Sequence, residues 1–198
     1  MLSIKQQLAK RLFDIVVALI GITVFLLPIV CLIFMATVVM GEFGLFSQQR
    51  VGQHAKLFTM YKIKTMKSNT LDDANIIVDD SRIPWFGKLL RRTKLDELPQ
   101  LFNVLIGNMS LVGPRPDIVG YADKLTGEDK IILSVKPGIT GPATLKFRNE
   151  EDILKQQPNP KKYNDAVIWK EKVKINKDYI QNWSFLGDIK YIFKTFFP

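Results

Sequence analysis

The chain has 198 residues, 47% of them hydrophobic, and a formal charge of +9 at neutral pH. That length suits one domain or two small ones, and the cationic surplus favours phosphorylated substrates, anionic lipid or nucleic acid as partners. A single Cys31 and a single His54 exclude an intrachain disulfide, a His cluster and a zinc site of N/S ligands, so any metal is expected to be Mg2+ or Mn2+ on carboxylates and phosphates.

Ile15 to Met40 carries no charge. Roughly 26 residues make about 39 Å of helix, against a hydrocarbon layer about 30 Å thick. The run is too long for the apolar part of a signal peptide, and Val38-Val39-Met40 is a poor cleavage site. Pro28 lies near its middle, where it removes a backbone hydrogen bond and crowds the preceding turn at a cost of about 3 kcal/mol. Lys5, Lys10 and Arg11 precede the run, and Arg50, Lys56, Lys62 and Lys64 follow it. Positive charge is retained on the cytoplasmic side, so both flanks belong there. Together these features predict a re-entrant helix that bends at Pro28 and leaves by the face it entered; a kinked span is the alternative. Asp14, one turn after Arg11, is expected to neutralise it.

Gly41 to Gly52 reads as the exit from the membrane. Lys56 to Met66 alternates apolar and polar residues and predicts a short strand with Lys62 and Lys64 on one side. Ser68 to Ser81, with Asp72, Asp73, Asp79 and Asp80, reads as a polar surface loop. Pro84 to Arg92 predicts an amphipathic helix, with Trp85, Phe86, Leu89 and Leu90 on one face and Lys88, Arg91 and Arg92 on the other; aromatic and basic residues together suit the lipid headgroup region.

Leu95, Leu98, Leu101, Phe102 and Leu105 mark the buried face of a following helix, and Pro99 fixes its start. Asp96 and Glu97 thus fall at the cap or first turn, where the helix dipole favours their ionised form. An acidic cap is a common structural device. Here the surrounding Lys88, Arg91, Arg92, Lys94 and Arg115 point instead to a site that holds phosphate while a carboxylate attacks or holds metal. Gly113-Pro114-Arg115-Pro116 presents Arg115 on a stiff loop, suited to two-pronged contact with phosphate oxygens. Lys136-Pro137-Gly138-Ile139-Thr140-Gly141 is a second Gly/Pro loop that could offer backbone N–H groups to an anion, with Lys146 and Arg148 after it. Glu150 to Lys177 reads as one solvated helix after the Pro158/Pro160 break. The tail from Trp183, aromatic with interleaved Lys190 and Lys194, suits either an interfacial helix or one docked on the core.

The motifs KRLFDIVVALI (10–20), YKIKTM (61–66), GKLLRRTKLDELPQLFNVLIGNMSLVGPRP (87–116), KPGITG (136–141) and NWSFLGDIK (182–190) are specific in combination. Over nearly its whole length the chain resembles the bacterial sugar transferases, in particular the small monotopic polyprenyl-phosphate phosphoglycosyl transferases. The resemblance implies transfer of a phosphosugar from a nucleotide diphosphate sugar, usually a UDP-sugar, to undecaprenyl phosphate at the cytoplasmic face of the bacterial inner membrane. It implies Asp96 as nucleophile, forming an acyl phosphosugar with release of UMP. Glu97 would be its partner at a Mg2+ site to which Asp96 also contributes, and Arg91 and Arg115 would lie near phosphate. Lys62, Lys64 and Arg148 complete the candidate phosphate-binding set. Departures from the family pattern are Leu27-Pro28 where Ser-Pro is frequent, Pro142 and Phe147-Arg148-Asn149 after the second loop, and Asn176 at a frequently acidic position.

The expected fold is α+β: a mainly helical, membrane-associated domain with a small sheet, a re-entrant N-terminal helix and interfacial amphipathic helices. Residues 1–42 would form the membrane helix and its flank, and 43–198 the catalytic domain. Expected partners are the nucleotide diphosphate sugar, undecaprenyl phosphate and membrane lipid, not nucleic acid; a homo-oligomer stays open. The competing reading is a tethered binding module that holds nucleic acid or anionic lipid by charge alone.

Overall fold

The computed structural model describes residues 2–68 and 80–197. The Asp72, Asp73 and Asp79 part of the polar loop lies outside the described residues. The architecture is mostly helical with two small sheets, in line with the α+β expectation.

Helix α1 (Ile4–Met40) opens on a capping box in which the Ser3 hydroxyl accepts from the Gln6 amide and the Gln6 side chain accepts from Ser3 N. It closes at Gly41 in the left-handed conformation, φ 71°. The helix runs through Pro28 without interruption. It is long and apolar enough to cross a membrane, and only 11% of its most apolar window is buried. Its burial follows a stripe rather than the whole cylinder. Lys10, Asp14 and Ala18, four residues apart, face the core, and Ala36 and Met40 do so near the far end. Small residues set the close approach: a Cβ on Gly21 would stand 3.0 Å from Leu101 Cδ1.

The segment expected to be a bare membrane exit is a strand. Strand β1 (Leu45–Val51) pairs antiparallel with β2 (Leu57–Ile63), Leu45 opposite Ile63 and Val51 opposite Leu57. Strand alternation puts Lys62 on the face of Phe58 and Met60, so its ammonium is directed inward. Helix α2 (Trp85–Thr93) also differs from expectation. Phe86 and Leu90 are buried, but Trp85 is 70% exposed and Leu89 47%, so the apolar residues divide between core and outside.

Lys94, in the left-handed region at φ 59°, ends α2 and starts a 3-10 turn at Leu95–Glu97. Helix α3 (Gln100–Ile106) follows, with Pro99 before its first residue. Asp96 and Glu97 therefore precede the α-helix by one tight turn instead of lying in it. The fully buried residues of α3 are Gln100, Asn103 and Val104; the leucines expected there are only half-buried. Asn103 explains the polar choice: its Oδ1 accepts from Tyr61 N (3.1 Å) and its Nδ2 donates to Thr59 O (2.7 Å), tying α3 to the edge of β2. Arg11 and Asp14 do not neutralise each other. Arg11 donates to the Val104 and Leu105 carbonyls at the negative end of α3, and Asp14 Oδ1 accepts from Leu111 N.

Strand β3 (Ser110–Val112) lies parallel to β4 (Gly138–Thr140), which joins the two Gly/Pro loops. Gly138 N donates to Pro114 O, and Gly113 N to Thr140 O. The Gly138 N–H, one of those expected to be offered to an anion, is thus engaged in holding loop to loop. A Cβ on Gly138 would come 2.1 Å from Gly113 N, so only glycine permits this contact.

The expected single helix over 150–177 is broken. It consists of α4 (Pro142–Lys146) before it, α5 (Glu150–Lys155), α6 (Pro160–Tyr163), a π-turn at Asn164–Ile168 and α7 (Trp169–Gln181), whose Val173, Asn176, Tyr179 and Ile180 are buried. Helix α8 (Phe185–Phe196) combines both expectations for the tail. Tyr191 and Ile192 dock on the core, while Leu186, Phe193 and Phe196 are exposed. Asp188 of α8 is buried and accepts from Lys10 (2.5 Å), Tyr179 (2.8 Å) and Trp183 (3.0 Å), which locks α8 to α1.

Candidate active site

The 3-10 turn at Leu95–Glu97 carries two adjacent carboxylates into a buried position, Asp96 at 7% exposure and Glu97 at 8%. Burying charge is costly unless it is paired. Glu97 is paired twice through one oxygen: Oε1 accepts from Lys62 Nζ at 3.1 Å and from Arg115 Nη2 at 2.9 Å. Lys62 arrives from β2 and Arg115 from the stiff loop after β3, so three separate elements converge on one side chain. Burial works against the Glu97 carboxylate, but Arg115 and Lys62 outweigh it and hold Glu97 well below the usual carboxylate range.

Asp96 is the opposite case. Its Oδ1 is buried and has no hydrogen-bond partner. Burial pushes its pKa up; Lys62 draws it down and the neighbouring Glu97 pushes it up further. The helix-dipole expectation of a comfortably ionised Asp96 is therefore corrected: the side chain sits one turn before α3, and desolvation outweighs the dipole. An orphaned buried carboxylate oxygen is a group held ready for a partner the protein itself does not supply.

The remaining candidates divide. Arg91 lies near enough to lower the Asp96 pKa, yet its own bonds go to Thr65 Oγ1 (3.0 Å) and Glu151 (3.4 Å). Lys64 is drawn away from the dyad to Glu42 and Ser68. Arg148 donates to the carbonyls of Lys194 and Thr195 at the end of α8. Pro28 is in the exposed middle of α1. Thus Lys62 and Arg115 join Asp96 and Glu97, Arg91 borders them, and Lys64 and Arg148 hold other parts of the fold.

Two charged residues beside Arg115 escaped the sequence reading. Arg50 donates to Pro116 O at 3.4 Å, and its Nε is buried without a partner; burial and the nearby Arg115 guanidinium lower its pKa to about 10. Asp117 is pushed up to about 7 by burial, against the pull of Lys172, Arg50 and Arg115. The backbone of Asp117 accepts from Val51 N at 2.9 Å, so β1 fixes the Arg115 loop from its other side. The available signal was position: Asp117 directly follows the Pro-Arg-Pro run. A narrow cleft lined by Val51, Pro114, Arg115, Asp117 and Val135 opens next to Arg115. A wider concavity of about 460 Å³, lined by Asn159, Lys161, Lys162, Asp165 and Lys170, contains none of the dyad residues.

Among the described residues no three His, Cys, Asp or Glu side chains gather as a metal cage. The donor set fits Mg2+ in another way: Mg2+ is commonly held by one or two carboxylates together with substrate phosphates. The free Oδ1 of Asp96 is such a donor.

The model of the bacterial sugar transferase family matches residues 5–198. The chain is 36% identical to the uncharacterized sugar transferase EpsL of Bacillus subtilis, over 96% of this chain and 86% of EpsL. It is 33% identical to the undecaprenyl-phosphate galactose phosphotransferase of Salmonella typhimurium, over 94% of this chain. It is 35% identical to the UDP-glucose:undecaprenyl-phosphate glucose-1-phosphate transferase of Escherichia coli, over 99% of this chain. The chain spans 39% and 41% of the length of the latter two. Matched end to end by the family and along most of one relative, the chain belongs to the bacterial sugar transferases.

Proposed function

We propose that this chain transfers a phosphosugar from a nucleotide diphosphate sugar, a UDP-sugar in particular, to undecaprenyl phosphate, with release of UMP. The observation that carries the reading is the contrast within the dyad: a Glu97 already engaged by Lys62 and Arg115, beside an Asp96 whose Oδ1 is buried and unpartnered. The names of the Salmonella and Escherichia relatives support the reaction class.

In the proposed cycle an Asp96 carboxylate oxygen attacks the sugar-linked phosphorus. The bond from that phosphorus to the bridging diphosphate oxygen breaks, and UMP leaves with the electron pair. An aspartyl phosphosugar remains. An oxygen of the acceptor phosphate then attacks the same phosphorus, breaks its bond to Asp96 and regenerates the carboxylate. Both attacking groups are anions, so the chemistry depends on neutralising phosphate charge and not on a general base. Arg115 is placed to draw a phosphate oxygen in two-pronged fashion, and Lys62 offers a compact charge from β2. Asp96 and Glu97 would hold Mg2+, which supplies further neutralisation of the phosphates when bound. Burial keeps water from competing for the acyl phosphate.

The catalytic domain would work at the cytoplasmic face of the inner membrane, with α1 re-entrant. Support comes from both ends of α1 returning to the same body: Asp14 bonds Leu111 at one end, and Ala36 packs with Phe86 and Leu90 of α2 near the other. A straight span of the bilayer would carry its far end away from that body. Between them Val24 to Pro28 are exposed, while Ile29 is 3% exposed, a burial that a straight unaccompanied helix does not give.

The test is a panel of UDP-sugars incubated with the purified chain, Mg2+ and undecaprenyl phosphate, scored for UMP release. Acid-quenched enzyme is then digested and its phosphosugar adduct mapped. An adduct on Asp96 is expected; an adduct on another side chain, or UMP release with no adduct under single-turnover conditions, overturns the mechanism.

A further inference from the structure

Two basic motifs take no part in the dyad site, Lys10-Arg11 at the start of α1 and Lys136 before β4. The fold brings Arg11 and Lys136 together at Gly107. Gly107 ends α3 in the left-handed region at φ +93°, and a Cβ there would lie 3.3 Å from both Arg11 Nη2 and Lys136 Nζ. The two cationic tips thus flank one small opening that holds no side chain.

Their partners account for only part of this charge. Arg11 donates to Val104 O at 2.6 Å and Leu105 O at 2.8 Å. Among the described residues Lys136 has no carboxylate within ion-pair distance; Asp14 acts on it only from farther off. Burial and the nearby Arg11 lower the Lys136 pKa, which is the response of a cation short of counter-charge. Like charges held together by a fold are stable when an anion comes between them.

The surroundings identify where that anion comes from. Ile106, next to Gly107, is 64% exposed, and Leu8 and Leu12, flanking Arg11 on α1, are 69% and 63% exposed. Leu186 of α8 is 76% exposed, beside a Phe185 ring that stacks edge-on with Phe13. A cationic opening whose chain neighbours, Ile106 beside Gly107 and Leu12 beside Arg11, are exposed aliphatic side chains matches the boundary between headgroups and acyl chains, where apolar residues enter the lipid and Lys or Arg meets phosphate.

We propose that Arg11 and Lys136 form a clamp for the phosphodiester of an anionic phospholipid, which seats the base of α1 at the membrane surface. The proposal rests on the membrane-face reading of α1 given above. It assigns work to the Lys of the second Gly/Pro loop, whose Gly138 N–H is already engaged with the first.

The test measures partitioning of the purified full chain between detergent-free buffer and vesicles of phosphatidylcholine with or without phosphatidylglycerol. Lys136→Gln is compared with Lys162→Gln, which removes the same charge from the exposed concavity on α6, and with Lys136→Arg. Lys136→Gln should weaken binding to phosphatidylglycerol vesicles about five-fold, Lys162→Gln should leave it near wild type, and Lys136→Arg should restore it. Equal losses in the two Gln variants would show charge without a site and overturn the clamp. Full competition by inorganic phosphate would make the occupant a free anion and overturn the lipid assignment. A wild-type chain indifferent to all vesicles would overturn the membrane reading itself, a different failure from that of the clamp alone.

Discussion

Two buried acidic sites in this molecule answer the same electrostatic problem in opposite ways. At Asp188 the fold surrounds a carboxylate with Lys10, Tyr179 and Trp183, so both oxygens are bonded. At Asp96 the fold buries a carboxylate and leaves Oδ1 without a donor. The first arrangement binds two helices distant in sequence. The second leaves a buried carboxylate poorly solvated, and its neighbour Glu97 absorbs the nearest cations. The comparison separates, by satisfaction and not by burial, carboxylates that stabilise the fold from the one to which the proposed mechanism assigns chemistry.

Removing each carboxylate should therefore fail differently. Asp96→Asn should cut UMP release by a factor on the order of 10^4 or more while the variant unfolds no more easily than wild type; an active Asp96→Asn chain would dissolve the contrast. Asp188→Ala should lower stability by about 3–5 kcal/mol, because it strands the Lys10 ammonium in the interior. Thermal unfolding in detergent reads this, and an unchanged midpoint would mean Asp188 holds little. Arg115→Lys keeps a charge near Glu97 but loses the planar fork, and turnover should drop about 10^2-fold. Full activity would reduce the Pro-Arg-Pro loop to a structural turn.

Proton linkage sharpens the comparison further. The raised pKa of Asp96 means the native state holds that proton more tightly than the unfolded chain, so its ionisation costs stability as pH rises from the ordinary carboxylate value, levelling off above the raised one. Glu97 has the reverse sign: its depressed pKa contributes stability above the ordinary Glu value, lost as pH falls toward the depressed one. In the proposed mechanism turnover needs ionised Asp96, so it should fall on acidification at a pH above the ordinary aspartate range. The smallest expected effect is at Asp117, pushed up to about 7. Asp117→Asn should gain stability relative to wild type as pH rises from about 4 to 7, and parallel pH curves for the two chains would deny that Asp117 is desolvated.

Much of this site was legible beforehand because the LDEL and GPRP stretches are short, local and rigid: Asp96, Glu97 and Arg115 could be assigned together from sequence. Alternation along β2 set Lys62 against the apolar residues, whereas the structure turns it to the face of the buried Phe58 and Met60, where Glu97 meets it. Lys64 and Arg148 looked equivalent to it in the sequence, since a basic residue carries no mark of which acid or carbonyl the fold will bring near. The two Gly/Pro loops were read as separate, and only their mutual backbone contact reveals why Gly113, Gly138 and Gly141 are glycine. The polar burial of Asn103 was invisible to hydrophobic periodicity, because its place is set by the edge of β2. Strand β1 escaped for a similar reason: LFSQQRV has little alternation, and its pairing with β2 decides its state.

The lock between Lys10 and Asp188 joins residues 178 positions apart. Synthesis at about 5–20 residues per second puts roughly 10–35 s between the two. During that interval the N-terminal helix must engage its surroundings with the ammonium unmatched. Assembly thus has a built-in order: the N-terminal helix forms early, and docking of the aromatic C-terminal helix comes as the closing event. A nascent chain halted before Asp188 would wait with the Lys10 ammonium unmatched and its core unsealed.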